Sequence, residues 1–209
     1  ANQPLLDWLA RDFVQSGFNR EQVIRTILNS TTYQLASQKN ESNDQDVRYF
    51  SHMQARQLPA ESLMELICQV TGVPFKFKGL PLGTRATGRP SPEDGPEFLR
   101  VFGQPPRQTN CSCERSISAN LSQALALVNG DFIHKRIIDK NCLFRRRIRE
   151  GRTNQEIVEE IYLAAYSRFP NQKEMDVVNT FIEEQEDREI ALEDLVWSVI
   201  NSKEFMFHQ

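Results

Sequence analysis

The sequence predicts a mainly α-helical protein of antiparallel helix pairs, with a long, ordered, Pro/Gly-rich loop region between them. Three observations predict it. Apolar residues recur at helical spacing, as in Leu5, Leu9 and Phe13 or in Leu192, Leu195, Val196 and Val199. Two stretches in the last third open with paired helix-start signals, Thr153 with Glu156 and Asn171 with Glu174. Between residues 72 and 110 this pattern stops: six of nine glycines and seven of ten prolines collect there, which excludes long helices.

The elements follow in order. Residues 4–17 read as a first helix, with Pro4 at its opening and Gly17 at its stop. Asn19 caps a second helix, with Gln22 as its reciprocal partner and Val23, Ile24, Ile27 and Leu28 as its apolar stripe. The short join predicts a helical hairpin. Residues 36–46 are polar and read as a solvated loop, and a helix is expected to resume near Arg48. A longer helix over 59–71 carries Leu63, Met64, Ile67 and Val70 and stops at Gly72. The loop region is expected to be ordered because Phe75, Phe77, Leu80, Phe98, Leu99 and Phe102 give it apolar anchors, with a short helix near 97–102. A helix over 116–129 presents Ile117, Leu121, Ala124, Leu125 and Val128 on one face and ends at Gly130. Another runs from 131 toward 143, and three more complete the chain after Thr153. The chain divides into helices at 1–71, an irregular insertion at 72–114 and helices at 115–209 of one domain.

Composition narrows the function. The 209 residues are 39% apolar and 25% charged, enough for a core without staples. A net charge of −3 argues against nucleic acid as partner. The basic run Arg145-Arg146-Arg147-Ile148-Arg149 reads as a solvated helix face near a C-terminal end. No apolar run approaches the ~18 residues a membrane span needs. The chain starts without Met at the edge of a helix and reads as a piece of a longer protein.

Reactive side chains crowd at Cys111-Ser112-Cys113-Glu114-Arg115. In an extended segment Cys111 and Cys113 point to opposite faces; in a turn both thiolates reach one ion. Cys68 and Cys142 are the other two cysteines, and no His or Cys stands at a zinc-motif spacing, so metal is the minor expectation. Two bridges and four inert thiols both fit the count, and Cys68, beside a helical stripe, reads as a small buried thiol. Glu114 and Arg115 form the structural part of the motif, at a helix entry where a carboxylate is favourable. Arg85, Arg89, Arg100, Arg107 and Arg115 lie in or beside the loop region, and converging guanidiniums would suit a carboxylate or sulfate. Glu93, Asp94 and Glu97 stand ready to neutralise them instead. His52, His134 and His208 have no triad context, and neither a Gly-x-Ser-x-Gly elbow nor a phosphate loop occurs.

Several stretches together resemble a known family. They include Pro4-Leu5-Leu6-Asp7-Trp8-Leu9-Ala10, Arg56-Gln57-Leu58-Pro59-Ala60-Glu61 and Gly83-Thr84-Arg85-Ala86. Further pieces are Phe102-Gly103-Gln104-Pro105-Pro106-Arg107, the Cys-x-Cys-Glu-Arg element and Tyr166-Ser167-Arg168-Phe169-Pro170. The chain resembles the domain of unknown function 1553, found at the C-terminus of planctomycete-type cytochrome-associated proteins. The resemblance implies an exported, periplasmic-type location and a parent protein tied to polysaccharide metabolism. It implies haem, if any, on another domain of that parent, since this chain lacks Cys-x-x-Cys-His. In an exported protein disulfides become the favoured state of the cysteines. The family's activity is unassigned, so no catalytic residue carries over.

The expectation is a non-catalytic structural or docking module whose partners are the parent's other domains. One alternative is a redox or enzymatic component at Cys111, Cys113, Glu114 and Arg115. A second is a binder of acidic or sulfated polysaccharide through the loop arginines.

Overall fold

The computed structural model describes residues 2–91, 95–105 and 121–208. Its contacts divide the chain into two compact units, residues 1–56 and residues 57–208.

In the first unit, α1 (Gln3–Gln15) opens with Asn2, whose side chain accepts the Leu5 N–H at 3.3 Å. Asn19 opens α2 (Arg20–Leu28) by accepting the N–H groups of Glu21 and Gln22 at 3.0 and 3.2 Å. That cap is one-sided, without the reciprocal Gln22 bond the spacing predicts. Gly17 and Phe18 reverse the chain with positive φ (70° and 62°), and the Phe18 ring meets Phe13 edge-on at 5.4 Å. The two helices pack as the expected hairpin, but neither buries a single residue.

No helix resumes near Arg48. The Asp46 carboxylate instead takes the N–H groups of Arg48, Tyr49 and Ser51 and the Ser51 hydroxyl, all at 2.6–2.9 Å. Side-chain capture of backbone donors competes with a helical ladder, and here it wins. The same bonds, Ser51's hydroxyl first, hold the Asp46 carboxyl well below the usual carboxylate range.

The second unit is assembled on α3 (Ala60–Thr71), whose Ala60, Leu63, Met64, Ile67 and Val70 are all buried. Gly72 ends it at φ 66°, and the glycine is needed twice. The turn is left-handed, and a Cβ there would come within 2.5 Å of the Arg146 guanidinium. Residues 73–91 and 95–105 wrap this helix through Phe77, Ala86, Phe98, Leu99 and Phe102, all buried. This part holds a 3-10 turn at Ala86–Gly88 and the short α4 (Glu97–Val101). A short pairing of β1 (Arg56–Gln57) with β2 (Phe207–His208) continues in a bond from the Leu58 N–H to the Met206 carbonyl at 2.9 Å.

The next two helices depart from expectation. Helix α5 (Leu121–Asn129) turns Gln123, Ala126 and Leu127 inward and leaves Leu121, Leu125 and Val128 exposed. Its sequence is apolar on both sides, so periodicity does not choose a face. Packing does: Gln123 donates to the Val101 carbonyl at 3.2 Å. The helix predicted from 131 toward 143 is two, α6 (Asp131–Ile137) and α7 (Leu143–Arg149). Asp139 breaks it by accepting the Asn141 N–H on its side chain and the Cys142 N–H on its carbonyl. Gly130 joins α5 to α6, where a Cβ would sit 2.0 Å from the Ala126 carbonyl oxygen.

Helices α8 (Asn154–Tyr166), α9 (Gln172–Glu184), α10 (Arg188–Ile200) and α11 (Lys203–Met206) close the unit. Both predicted capping boxes are formed, at Thr153 with Glu156 and at Asn171 with Glu174. The basic run of α7 is tied down rather than simply solvated. Arg145 reaches Glu189 and Glu193 on α10, Arg147 reaches Glu150 and Glu160, and Arg149 donates to the Lys140 carbonyl. Arg168 clamps the turn after α8 to α11, with paired bonds to Glu174 (2.8 and 2.8 Å) and to Glu204 (2.7 and 2.8 Å).

Replacing Arg168 with Ala is expected to lower stability by about 1–2 kcal/mol, discounted for the half-exposed setting. A Tm unchanged within error would remove the clamp from the account. Arg168 holds the Glu174 carboxyl below its ordinary value. That contribution is present above about pH 4.3 and is lost as pH falls. Glu174→Gln is therefore expected to be less stable than the parent at pH 7 and closer to it at pH 3. Gly130→Ala is expected to cost about 1–3 kcal/mol through overpacking, measured by denaturant unfolding.

Candidate functional site

Cys111, Cys113, Glu114, Arg115 and Arg107 lie outside the described residues, as do Glu93 and Asp94. Cys68 and Cys142 are described, and both are free thiols. Cys142 sits at the start of α7 with no exposed surface, and burial pushes its thiol up to about 11. Cys68 is half-buried on α3 and opens into a cavity. Among the described residues no three His, Cys, Asp or Glu side chains come together in a metal-holding group.

The described loop arginines separate. Arg85 is exposed and stands on the rim of the Cys68 cavity, about 560 Å³ in volume, floored by Met64, Phe75 and Phe77. Arg89 is 3% exposed and lies over the Phe77 ring at 4.7 Å. Its guanidinium fits there because Gly95 has no Cβ, which would come within 2.8 Å of it. Arg100 is exposed on α4 and lines neither place. Two expected residues thus share one cavity, Cys68 and Arg85, while Arg89 and Arg100 go elsewhere. Glu61 and Glu65, one turn apart on α3, also part company. Glu61 is buried, and Glu65 accepts the Thr87 N–H and hydroxyl at 3.3 and 3.1 Å.

A second cavity, about 620 Å³, lies among α4, α5 and α6. Phe75, Phe98 and Phe132 form its aromatic wall, with Phe98 stacked on Phe132 at 4.6 Å. Arg136 also lines it and is only 7% exposed. Its guanidinium lies 3.7 Å over the Phe132 ring and 5.3 Å from that of Phe75. Nη1 donates to the Phe132 carbonyl at 2.7 Å, and the buried Nε has no acceptor. At the mouth, Lys135 bonds Asp131 at 2.7 Å, which lowers the Asp131 carboxyl from its usual value. Sequence reasoning passed over Arg136. The available signal was Phe132 and Arg136 four apart on one short helix, the spacing that lays a cation over a ring.

The thiols give a direct check. At pH 8 a thiol near 11 is thiolate in about one part in a thousand, against about a quarter for an ordinary cysteine. Peptide mapping after brief iodoacetamide treatment of the folded protein is expected to find Cys68 labelled well ahead of Cys142. Equal labelling would contradict the burial of Cys142.

No curated protein and no solved structure matches the chain. A family model does match, over residues 1–182, so it takes in the hairpin, α3 with its wrapping loop, and both cavities. The chain therefore belongs to the family described as PSD1, protein of unknown function (DUF1553).

Proposed function

We propose that this chain is a non-catalytic docking module of an exported, cytochrome-linked protein involved in polysaccharide metabolism, seated on another domain of that protein through the α1–α2 hairpin. The observation that carries the reading is the hairpin's unburied apolar face. Leu6 is 57% exposed, Trp8 53% and Ile24 56%, and Leu5, Phe18, Ile27 and Leu28 are also exposed. Ile24, Ile27 and Leu28 fall at i, i+3 and i+4, one face of a helix. Each such side chain stabilises a complex by about 1.5–3 kcal/mol when fully buried.

The surface also indicates the kind of partner. Residues 1–56 carry six Lys or Arg and six Asp or Glu, so no net field recruits a polyanion. They contain no cysteine, so no disulfide staples the hairpin. A unit this small, without a core, is ordered best against another apolar surface. A helical apolar face of a neighbouring domain meets these requirements. The described loop arginines share no pocket, which leaves the glycan reading with less support.

Hydrogen exchange tests the reading by comparing this chain alone with the full parent polypeptide. The expected result is amides of α1 and α2 protected at least ~10-fold more in the parent, with Trp8→Ser and Ile24→Ser together abolishing the gain. Equal exchange in both settings would overturn it.

A further inference from the structure

We propose that the cavity among α4, α5 and α6 binds a small monocarboxylate with a planar or branched apolar body, its carboxylate held by Arg136. The argument begins with an imbalance. A guanidinium carries a permanent charge and five N–H donors, and taking one out of water costs several kcal/mol unless an anion or acceptors replace the water. Arg136 is 93% removed from solvent, yet no carboxylate pairs with it among the described residues. Two ring faces and one carbonyl stabilise it in part. Its Nε is left without an acceptor.

Three clamped arginines of this unit are better supplied. Arg145 has two glutamates, Arg147 two, and Arg168 two. Arg136 is the one that lines a roomy cavity. That cavity, at about 620 Å³, lies within the ~300–1,000 Å³ range of small-molecule sites. Its wall of Phe75, Phe98 and Phe132 offers flat apolar surface beside the cation.

The charges at the mouth set the ligand's class. Asp131 and Lys135 neutralise one another and are mostly in solvent (side chains 84% and 70% exposed). Glu97 is also exposed. Exposed charges are screened within about 8–10 Å at physiological salt, while a buried one is not. The interior field is therefore that of Arg136, while at the mouth Asp131 and Lys135 cancel and Glu97 leaves a screened negative charge. One guanidinium matches one carboxylate in bidentate fashion. A phosphate or polyanion would carry excess charge past Glu97 and Asp131 into apolar walls, at a cost nothing on the wall offsets.

The test uses 3-phenylpropionate as probe, with 3-phenylpropanamide as its neutral counterpart and inorganic phosphate as the anion without a body. Binding to the intact chain is followed by ligand-observed NMR and calorimetry. The expected result is saturable 3-phenylpropionate binding below ~1 mM, weakened at least ~10-fold for the amide and for phosphate. Arg136→Met is expected to weaken it at least ~10-fold. Because that change touches the packed rings, Leu125→Trp serves as a second variant. Leu125 is exposed at the mouth, so the indole narrows the entrance without removing the charge, and it too is expected to weaken binding. No saturable binding up to ~10 mM, equal binding of the amide, tighter binding of phosphate, or affinity surviving Leu125→Trp would each overturn the proposal.

Discussion

The second unit depends on the burial of one helical stripe. Ala60, Leu63, Ile67 and Val70 of α3 are fully out of water, and α4, α6, α7, α8 and α10 all lie against that helix. A fully buried Leu or Ile side chain contributes about 1.5–3 kcal/mol through lost water contact alone. Among the described residues of this loop, 73–91 and 95–105, only a 3-10 turn and the short α4 are regular. These residues are held because Phe77, Leu99 and Phe102 drop into the surface that α3 organises. Both cavities border this same helix-and-loop assembly, so their walls are as rigid as its packing.

Arginine is used in two physically different ways around that core. On the outer helices Arg145, Arg147 and Arg168 meet paired carboxylates; Arg147 and Arg168 do so partly in solvent, where each bond is modest and the geometry does the fastening, while Arg145 is mostly buried. Toward the interior Arg136 lies on phenylalanine faces instead, and Arg89 also lies over the Phe77 ring. Cation–ring contact is worth about 2 kcal/mol or more when desolvated, which is less than the charge loses on leaving water. The Arg89 guanidinium is close-packed against Gly95, with no room there for a Cβ. Arg136 has open cavity beside it, and that difference is what turns a packing residue into a candidate ligand residue.

Much of the architecture was legible because it is local. The capping boxes at Thr153 and Asn171, the stop at Gly72 and the hairpin join at Gly17 each state their outcome within four residues. What was not legible depended on partners distant in sequence. Helix α5 is apolar on both sides, so its inward face was decided by Val101, twenty-two residues away. The break at Asp139 is local, but Asp-Lys-Asn is also compatible with a helix surface, and only the captured N–H of Asn141 decides it. For the site, the sequence drew attention to clustered cysteines and arginines. The described arginines scatter because the wrapping segment buries only some of its positions, Arg89 inward, while Arg85 in the loop and Arg100 on α4 face outward. Arg136 carried no motif, and its importance arises from a cavity whose walls come from residues 75, 98 and 132.

The hairpin poses the opposite problem to the core. Its helices are well specified locally, by Asn2 and Asn19 at their starts and a Phe13–Phe18 contact at their join. Local specification is not stability: isolated helices of 13 and 9 residues are marginal in water even with good caps. Two such helices, with no fully buried residue and no cysteine, have little internal stabilisation to offset the entropy of ordering them. On the docking reading proposed above, the missing term is burial against another domain, and Leu5, Trp8, Ile24 and Leu28 are exposed and in helical register to supply it. In an otherwise polar-leaning chain of mean hydropathy −0.52, that concentration of exposed leucine, isoleucine and tryptophan in one hairpin is the observation on which the docking proposal rests.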